Sequence, residues 1–536
     1  MKFRKPLSIL FVILLLGAIL RGINISSNPP SLYGDELTLV YDAYSIIKTS
    51  QDQLGNYLPL TFPMGAGRPG GYIYISIPFV YLFGPTALGI RALSVLSGIG
   101  IILLIYLISK RIFSTRVGLA SAFLSAISIW GISLSRAGFE ANFALFLVCL
   151  GIYAFLKATE KPILYTVSAA SFGLALHTYP TYKLTLVLFL PLLVWFSWQN
   201  WQEIKKKTKY ILPSFFLLIL FVVLAIVQTF TSGSEERFSQ INIFSQKDTS
   251  ELIVQKINYE RTISRLPDNL VPLFHNKPVE YFKIIGENYL KNLSMNFLFI
   301  HGDRNPRHNM STMGQLYIAD IILLVFGILA LGFKQIRKFI FLVGWILIAA
   351  MGSVLINEPH ALRSSFMLPP LLILSAIGIT YIFESLSGKY ATILKIFVIF
   401  AIVFQFLFFV QKLFFLAPYE YKHFWSILAK RASEIALDEK DRFGYVFVSD
   451  KIDNVEYAYP VYAKVDPNQV INQNKKLTEV EGYRFKKLGN VYIGNLNNEK
   501  ADEFLGKLDK TSLYIGLSDN FNETENIDEN LIFIRR

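Results

Sequence analysis

The chain has 536 residues, of which 53% are hydrophobic and 17% charged, and its formal net charge is +13. Several apolar runs are long enough to cross a bilayer, which excludes an ordinary soluble globular protein. The positive charge does not indicate nucleic-acid binding, because many Lys and Arg residues of the first 416 cluster in short loops between apolar runs. The single cysteine, Cys149, excludes an internal disulfide and a thiolate metal site.

The apolar runs predict about 11 membrane spans. The first follows a basic N-terminus and lacks a small-x-small cleavage site, so we interpret it as an uncleaved signal anchor. The expected spans lie near residues 6–25, 88–108, 117–135, 140–158, 162–178, 182–198, 210–230, 316–333, 338–356, 363–383 and 391–416. With this count, the loops rich in Lys and Arg lie on the cytoplasmic face, the N-terminus is cytoplasmic and the C-terminus is extracytoplasmic.

The aromatic stretch from Tyr72 to Phe83 could be counted as a further span. Doing so would move the later basic loops to the outer face, against the positive-inside rule. Pro78 also interrupts the stretch. We therefore interpret it as an interfacial or re-entrant helix.

The outer loop over residues 26–87 contains two adjacent carboxylates, Asp35 and Glu36. An amphipathic segment follows them, beginning at Leu37, and could form a helix on the membrane surface. One interpretation of the pair is an acidic N-cap of that helix. The other is a pair of catalytic acids held at the boundary between membrane and water.

The expected architecture is mainly α: a polytopic membrane helix bundle followed by a small α/β domain. The membrane domain covers residues 1–416, with outer loops over 26–87 and 231–313. Residues 417–536 are more polar, and the runs Tyr445–Val448 and Ser512–Leu517 predict strands. The topology places this second domain outside the membrane.

Other polar and aromatic residues fall at the outer ends of the expected spans: Arg68, Arg136, Glu140, Tyr179, Tyr182, Lys183, His308, His360 and Arg363. Structural roles compete for each of them. Arg136 and Glu140 are spaced as an i,i+4 ion pair, and the tyrosines are typical of an interfacial aromatic belt. The histidines could be solvated loop residues, and Arg363 could reach towards lipid headgroups.

Together, these acids and cations indicate a site that binds a phosphate and removes a proton. Arg offers a planar set of donors suited to phosphate oxygens. A lipid-phosphate-linked substrate fits the location, since its tail would lie among the helices and its headgroup at the outer boundary. A carboxylate beside it could deprotonate an acceptor hydroxyl while cations or a metal stabilise the leaving phosphate.

The sequence resembles the GT-C membrane glycosyltransferases of the protein-O-mannosyltransferase and aminoarabinose-transferase type over about residues 1–385. The segment Tyr33-Gly34-Asp35-Glu36 resembles the acidic motif of that family, and Ser135–Asn142 resembles its second acidic site, with Glu140 where Asp is more usual. The stretch from Gly67 resembles a Lys-Pro-Pro-Leu-Tyr element, with Arg68 in place of the Lys. Leu82-Phe83-Gly84 and Ile90-Arg91-Ala92-Leu93-Ser94 follow it.

The resemblance implies inverting transfer of a sugar from a polyprenyl-phosphate donor to a lipid, glycan or protein acceptor on the outer face of the plasma membrane. It implies Asp35 as general base with Glu36 in support, and Glu140 as a second carboxylate. Arg68, Arg136, Arg363, His308 and His360 are then candidates for the donor phosphate, and Tyr33, Tyr179, Tyr182 and Lys183 for acceptor or sugar. The sequence shows no strict metal requirement, although Asp35 and Glu140 could hold a divalent metal ion.

A membrane transporter or lipid flippase is the main alternative. Such proteins usually place ionisable groups at mid-membrane and contain paired repeats or broken helices. Here the charged residues fall at helix ends, and no internal repeat is present. The sequence therefore favours the enzyme.

Overall fold

The computed structural model describes residues 4–62, 67–198, 202, 205–231, 247–332, 335–522 and 526–536. The helices of the membrane region are α1 (Arg4–Gly22), α2 (Gly34–Thr49), α3 (Gly71–Phe83), α4 (Ala87–Ile112), α5 (Thr115–Ile127), α6 (Ile129–Ser135), α7 (Glu140–Lys157), α8 (Leu164–Leu176), α9 (Tyr182–Ser197), α10 (Thr208–Thr231), α11 (Lys247–Ile263), α12 (Val271–Phe274), α13 (Lys277–Asn292), α14 (Ala319–Leu331), α15 (Ile336–Ala349), α16 (Leu368–Glu384) and α17 (Lys389–Gln411). A two-stranded pair, β1 (Thr61–Phe62) and β2 (Arg68–Pro69), lies between α2 and α3.

The helices confirm a polytopic membrane bundle. Among the described residues, α4, α7, α10, α15, α16 and α17 belong to six segments that are long and apolar enough to cross a bilayer. A seventh is the pair α5 and α6, which is bent by 58°. The shorter apolar helices are α1, α3, α8, α9 and α14. Apart from α3, all of these lie at span positions expected from the sequence.

The helix after the acidic pair forms as expected, but its environment differs from the prediction. Leu37, Val40 and Tyr41 are buried, because α2 lies between α3 and the C-terminal region rather than on an open membrane surface. Asp35 and Glu36 do not cap the helix; the N-cap is Tyr33, and both acids lie in the first turn. There the helix dipole favours a negative charge.

The C-terminal region forms one six-stranded sheet with strand order β4-β5-β6-β3-β7-β8. Its strands are β3 (Tyr445–Ser449), β4 (Thr478–Val480), β5 (Tyr483–Leu488), β6 (Val491–Gly494), β7 (Ser512–Leu517) and β8 (Leu531–Arg535). Its helices are α18 (Ala417–Glu420), α19 (Ile427–Glu439), α20 (Val455–Tyr462), α21 (Pro467–Lys475) and α22 (Asn498–Leu505). Both strands predicted from the sequence form, and they lie side by side in parallel as β3 and β7.

The C-terminal region packs directly on the acidic loop. The Tyr462 hydroxyl lies 2.9 Å from that of Ser31, and Tyr41 donates to the Val465 carbonyl at 2.9 Å. The second expected outer loop, 231–313, contains α11 to α13, and residues 232–246 of it lie outside the described residues.

Candidate active site around Arg68

Arg68 joins two of the predicted catalytic carboxylates. Its Nη2 donates to Asp35 Oδ1 at 2.5 Å, and its Nε lies 3.0 Å from Glu140 Oε1. Its Nη1 donates to the Asp35 carbonyl and to the Thr38 hydroxyl, both at 3.2 Å. The β1–β2 pair holds the backbone of Arg68 opposite Phe62. Three residues far apart in sequence therefore meet at one point, which we call the acidic centre.

The members of the acidic centre differ in exposure. The Asp35 side chain is 48% exposed, whereas that of Glu140 is 13% and that of Arg68 only 4% exposed. Burial alone would lower the pKa of Arg68, but the carboxylates of Asp35 and Glu140 raise it above its ordinary value. Arg68 thus carries a fixed charge between two acids. Asp35 is the most open of the three to a bound molecule.

Glu36, predicted as the second member of the catalytic pair, lies in a closed ion pair. Its side chain is fully buried, and its two oxygens accept hydrogen bonds from Arg91 Nε and Nη2, each at 2.8 Å. The Gly138 amide also donates to it at 2.8 Å. Arg91 additionally donates to three backbone carbonyls before α2. This placement favours a positioning role for Glu36, in support of Asp35.

Arg136 is fully buried and does not face a headgroup. Its Nη1 donates to the Leu20 carbonyl at 2.9 Å, and its Nη2 to the carbonyls of Ile23 and Asn28 at 2.9 and 2.7 Å. These acceptors lie at and just beyond the C-terminus of α1, where a cation is favourable. The prediction that Arg136 binds donor phosphate is corrected: its charge holds α1 against the site.

The predicted acceptor residues fall into two groups. The Tyr33 ring is buried against Phe139 and Trp425, at 6.0 and 5.5 Å between centroids, and burial together with the nearby Asp35 raises its pKa. Tyr179, Tyr182 and Lys183 form a second group, at and just before the start of α9. Tyr182 is buried against Phe366, Tyr179 contacts Tyr182, and Lys183 Nζ donates to Thr229 at 2.7 Å.

Two arginines have guanidinium groups that make no hydrogen bond or ion pair with the described residues. The Arg307 guanidinium lies 5.4 Å from the centroid of the Tyr33 ring, half-buried, and makes no hydrogen bond or ion pair with the described residues. The half-buried Arg363, which the sequence analysis selected, is also without such a bond there. No role was expected for Arg307 itself from the sequence, although its position next to the selected His308 pointed to this loop.

His308 and His360 lie together at a third acid, Asp303. His308 Nδ1 is 3.1 Å and His360 Nδ1 4.0 Å from Asp303 Oδ2, and the two rings stack at 4.4 Å. Burial would raise the pKa of Asp303, but the hydrogen bond and charge of His308 lower it below its ordinary value. Within the described ranges, these three residues form the one group spaced to hold a metal ion. The expected metal ligands Asp35 and Glu140 are instead bridged by Arg68.

No role was expected for Arg91 or Asp303 from the sequence. Arg91 had a signal of its own, since it is a charged residue near the start of a long apolar helix. Asp303 lies between His301 and His308, and no local pattern showed that His360 would join it.

Several solved structures resemble the chain. The oligosaccharyltransferase AglB from Archaeoglobus fulgidus, in complex with an inhibitory peptide and a dolichol-phosphate, is 14% identical with a TM-score of 0.48 and covers 86% of this chain. The chain spans 64% of the length of that protein. ArnT from Cupriavidus metallidurans, bound to undecaprenyl phosphate, is 11% identical with a TM-score of 0.45, covering 99% of this chain and 97% of its own.

No curated protein sequence matches the chain. The family described as dolichyl-phosphate-mannose-protein mannosyltransferase matches residues 68–226. The matched segment begins at Arg68 and includes Glu140, so it contains two of the three members of the acidic centre. The resemblance to the protein-O-mannosyltransferase type is therefore confirmed over residues 68–226, which carry the sequence signature of that family.

Proposed function

We propose that the protein is an integral-membrane glycosyltransferase that moves a sugar from a polyprenyl-phosphate donor to a hydroxyl group of a lipid, glycan or protein acceptor. The observation that carries the proposal is the bridging of Asp35 and Glu140 by Arg68, of which Arg68 and Glu140 lie within the family match. AglB and ArnT, whose solved structures hold dolichol-phosphate and undecaprenyl phosphate, are compatible with such a donor.

Asp35 acts as the general base in this proposal. It is about half exposed, and Arg68 fixes one of its oxygens at 2.5 Å. The acceptor hydroxyl gives its proton to Asp35 as its oxygen attacks the anomeric carbon. The bond from that carbon to the phosphate oxygen breaks on the opposite side, so the configuration inverts and polyprenyl phosphate leaves. Glu140, held by the same guanidinium, orients the acceptor.

The departing phosphate needs a cation that is not already paired. Arg68 is committed to two carboxylates and Arg136 to backbone carbonyls, so neither is available. Arg307 and Arg363 carry guanidinium groups with no hydrogen bond to the described residues. We assign the phosphate to these two, with Arg307 foremost because it lies over Tyr33, two residues before Asp35.

The placement at the outer face of the plasma membrane belongs to the proposal. It is supported by the basic residues between spans, among them Lys110, Arg111 and Arg116. With these loops in the cytoplasm, the acidic centre and the C-terminal domain, residues 417–536, are extracytoplasmic. Single cysteines at the exposed Ser26 and Ser27 test this orientation with a membrane-impermeant thiol reagent, since labelling of intact cells is expected.

The decisive experiment compares wild type with Asp35→Asn, using a panel of radiolabelled polyprenyl-phosphate sugars that includes mannose. The assay uses membranes of the native cell, which supply the acceptor, and measures release of polyprenyl phosphate, because this readout does not require the acceptor to be identified. Asp35→Asn is expected to lower release by about 10²–10⁴-fold with an unchanged thermal midpoint. The matched control is Asp268→Asn, an exposed acid in the described loop. Lipid translocation without phosphate release would favour the flippase alternative instead.

A further inference from the structure

We propose that Asp303, His308 and His360 bind a divalent transition-metal ion of the zinc class, and that this ion receives the donor phosphate. The metal site follows from the geometry of the three residues alone. Its assignment to the phosphate rests on the proposed function. Sequence patterns did not indicate it, because His360 is 57 residues from Asp303 in the chain.

The spacing of the ligand atoms fits one ion. One atom from each residue lies within 4.8 Å of the other two, with Asp303 Oδ2 at 3.1 Å from His308 Nδ1 and 4.0 Å from His360 Nδ1. Metal bonds of about 2.0–2.1 Å at a tetrahedral angle require ligand atoms ~3.3 Å apart. The distance from Asp303 Oδ2 to His308 Nδ1 is close to this value, and the distance to His360 Nδ1 exceeds it by ~0.7 Å.

Backbone groups outside the three ligands hold the Asp303 carboxylate in place, as the outer shell of a metal site does. The Ala361 amide donates to Asp303 Oδ2 at 2.7 Å, and the Asn305 amide donates to Oδ1 at 2.8 Å. Asn309 Nδ2 braces the same loop by donating to three carbonyls between residues 301 and 313. Trp130 Nε1 donates to the Ala361 carbonyl at 3.1 Å and so anchors the segment that carries His360.

The donor set selects the class of ion. Two imidazole nitrogens and one carboxylate oxygen suit zinc and its transition-metal neighbours rather than magnesium or calcium, which prefer oxygen ligands. Three protein ligands also leave a coordination position open, the pattern of catalytic rather than structural zinc sites. A phosphate oxygen is a ligand that this open position accepts.

The aromatic rings of Phe139 and Tyr33 lie between the proposed metal site and the acidic centre. The His308 ring is 5.9 Å from that of Phe139, which precedes Glu140, and Phe139 is 6.0 Å from Tyr33. Arg307, next to His308 in sequence, lies over the Tyr33 ring. An inverting displacement needs its base and its leaving-group stabiliser on opposite sides of the sugar. The acidic centre and the metal site supply such a separated pair.

A hydrogen-bonded His–carboxylate cluster without metal is the competing explanation. The chain offers a matched control, because His275 Nδ1 lies 2.8 Å from Glu260 Oε2 and the described residues provide no third ligand there. The full-length protein in detergent is stripped with a chelator, and binding of Co²⁺ is followed by its visible absorption and by metal analysis after dialysis.

Wild type and His275→Ala are expected to bind one equivalent of Co²⁺, whereas His308→Ala, His360→Ala and Asp303→Asn bind at least 100-fold more weakly. A thermal midpoint for each variant separates lost binding from lost folding, and His360→Gln serves as a milder change if the alanine variant unfolds. The proposed metal site is refuted if wild type binds no Co²⁺, or if folded variants of Asp303, His308 and His360 still bind one equivalent of it.

The phosphate assignment is tested on the cobalt-loaded protein with inorganic phosphate. Addition of phosphate is expected to shift the Co²⁺ absorption in wild type. An unchanged spectrum would refute phosphate as the open-position ligand while leaving the metal site standing. Because neither readout depends on turnover, the metal result and the Asp35→Asn result can fail independently.

Discussion

Glu36 and Arg91 form a two-point ion pair in which both side chains are fully buried, with two N–O distances of 2.8 Å. Asp35, the preceding residue, is half exposed and belongs to the acidic centre. Successive residues of a helix point about 100° apart, so two adjacent acids in the first turn of α2 are directed to different surroundings. Glu36 therefore holds the loop in place, whereas Asp35 is accessible to a bound substrate.

Removing Arg91 is expected to destabilise the fold rather than to impair catalysis alone. Arg91→Ala would leave the Glu36 charge buried without its partner, which costs about 3–5 kcal/mol. Thermal unfolding in detergent measures the loss. The control is Arg111→Ala, which breaks the exposed pair with Glu160 and should change stability by less than about 0.5 kcal/mol. Equal midpoints for Arg91→Ala and wild type would contradict the buried-pair role.

Arg68 is expected to matter through its forked geometry as well as its charge. Arg68→Lys keeps the charge but cannot hold Asp35 and Glu140 together, and Arg68→Gln removes the charge. We expect kcat/KM to fall about tenfold in the first variant and about 10²-fold in the second. The control Arg431→Lys alters a two-point pair with Asp528 on the surface. Equal activity of Arg68→Lys and wild type would show that charge suffices.

Much of the fold could be predicted because bilayer thickness constrains it strongly. Runs of apolar residues and the distribution of Lys and Arg located the apolar helices near their observed bounds, and alternation predicted two neighbouring strands in the C-terminal sheet. The burial of α2 could not be predicted, since it depends on where α20 and α21 of the distant C-terminal region pack. An amphipathic helix has the same pattern against lipid and against protein.

The candidate site was predicted in part. Asp35, Glu140 and Arg68 were selected, and the structure brings them together. Arg136 was selected for its charge, but charge does not show whether the guanidinium meets a phosphate or a set of helix-end carbonyls. His308 and His360 were selected separately, and only the three-dimensional contact with Asp303 joins them.

Arg307 is expected to contribute to donor binding. Its guanidinium lies over Tyr33 and makes no hydrogen bond within the described chain, so it can meet a phosphate without breaking a native pair. A charge-assisted hydrogen bond contributes about 1.5–3 kcal/mol, so Arg307→Ala should raise the KM for the donor about 10- to 100-fold. Arg304→Ala, an exposed arginine of the same loop, is the control. Parallel effects in both variants would point to general loss of charge.

Asp42 is expected to make stability depend on pH. Burial raises its pKa to about 7, aided by the nearby Asp52 and opposed by the hydrogen bond from the Gln53 amide. Between the ordinary value of 3.8 and about 7, the folded protein holds a proton that the unfolded chain has lost. Stability therefore falls as pH rises through this window, by an amount on the order of 2–4 kcal/mol.

Asp42→Asn removes this dependence while keeping an oxygen that can accept from the Gln53 amide. The midpoint of the variant should exceed that of wild type at pH 8, and the difference should shrink steadily as the pH falls from 7 to 4. Asp268→Asn, an exposed acid, should show a difference that does not vary with pH. A constant difference for Asp42→Asn as well would mean that Asp42 has an ordinary pKa in the folded protein.

The C-terminal domain is expected to help position Asp35 through a close contact at Gly34. A Cβ atom on Gly34 would lie 2.4 Å from Oδ1 of Asn454, so either Asn454 or α2 must shift. The Asn454 amide is held by hydrogen bonds to Ser426 Oγ and Asp453 Oδ2 at 3.0 and 2.7 Å. Gly34→Ala should therefore displace the start of α2 and lower kcat/KM about 10- to 100-fold, since catalysis is sensitive to shifts of about 1 Å. Asn454 has a φ of +66°, so Asn454→Gly is compatible with the backbone and removes the obstructing side chain.

The double variant is the informative measurement. Asn454→Gly alone should retain activity close to wild type, and combining it with Gly34→Ala should restore kcat/KM to within about threefold. Restoration would show that the loss in Gly34→Ala arises at the contact with the C-terminal domain. If the double variant is as inactive as Gly34→Ala, the methyl group acts within α2 itself and the domain does not set the position of Asp35.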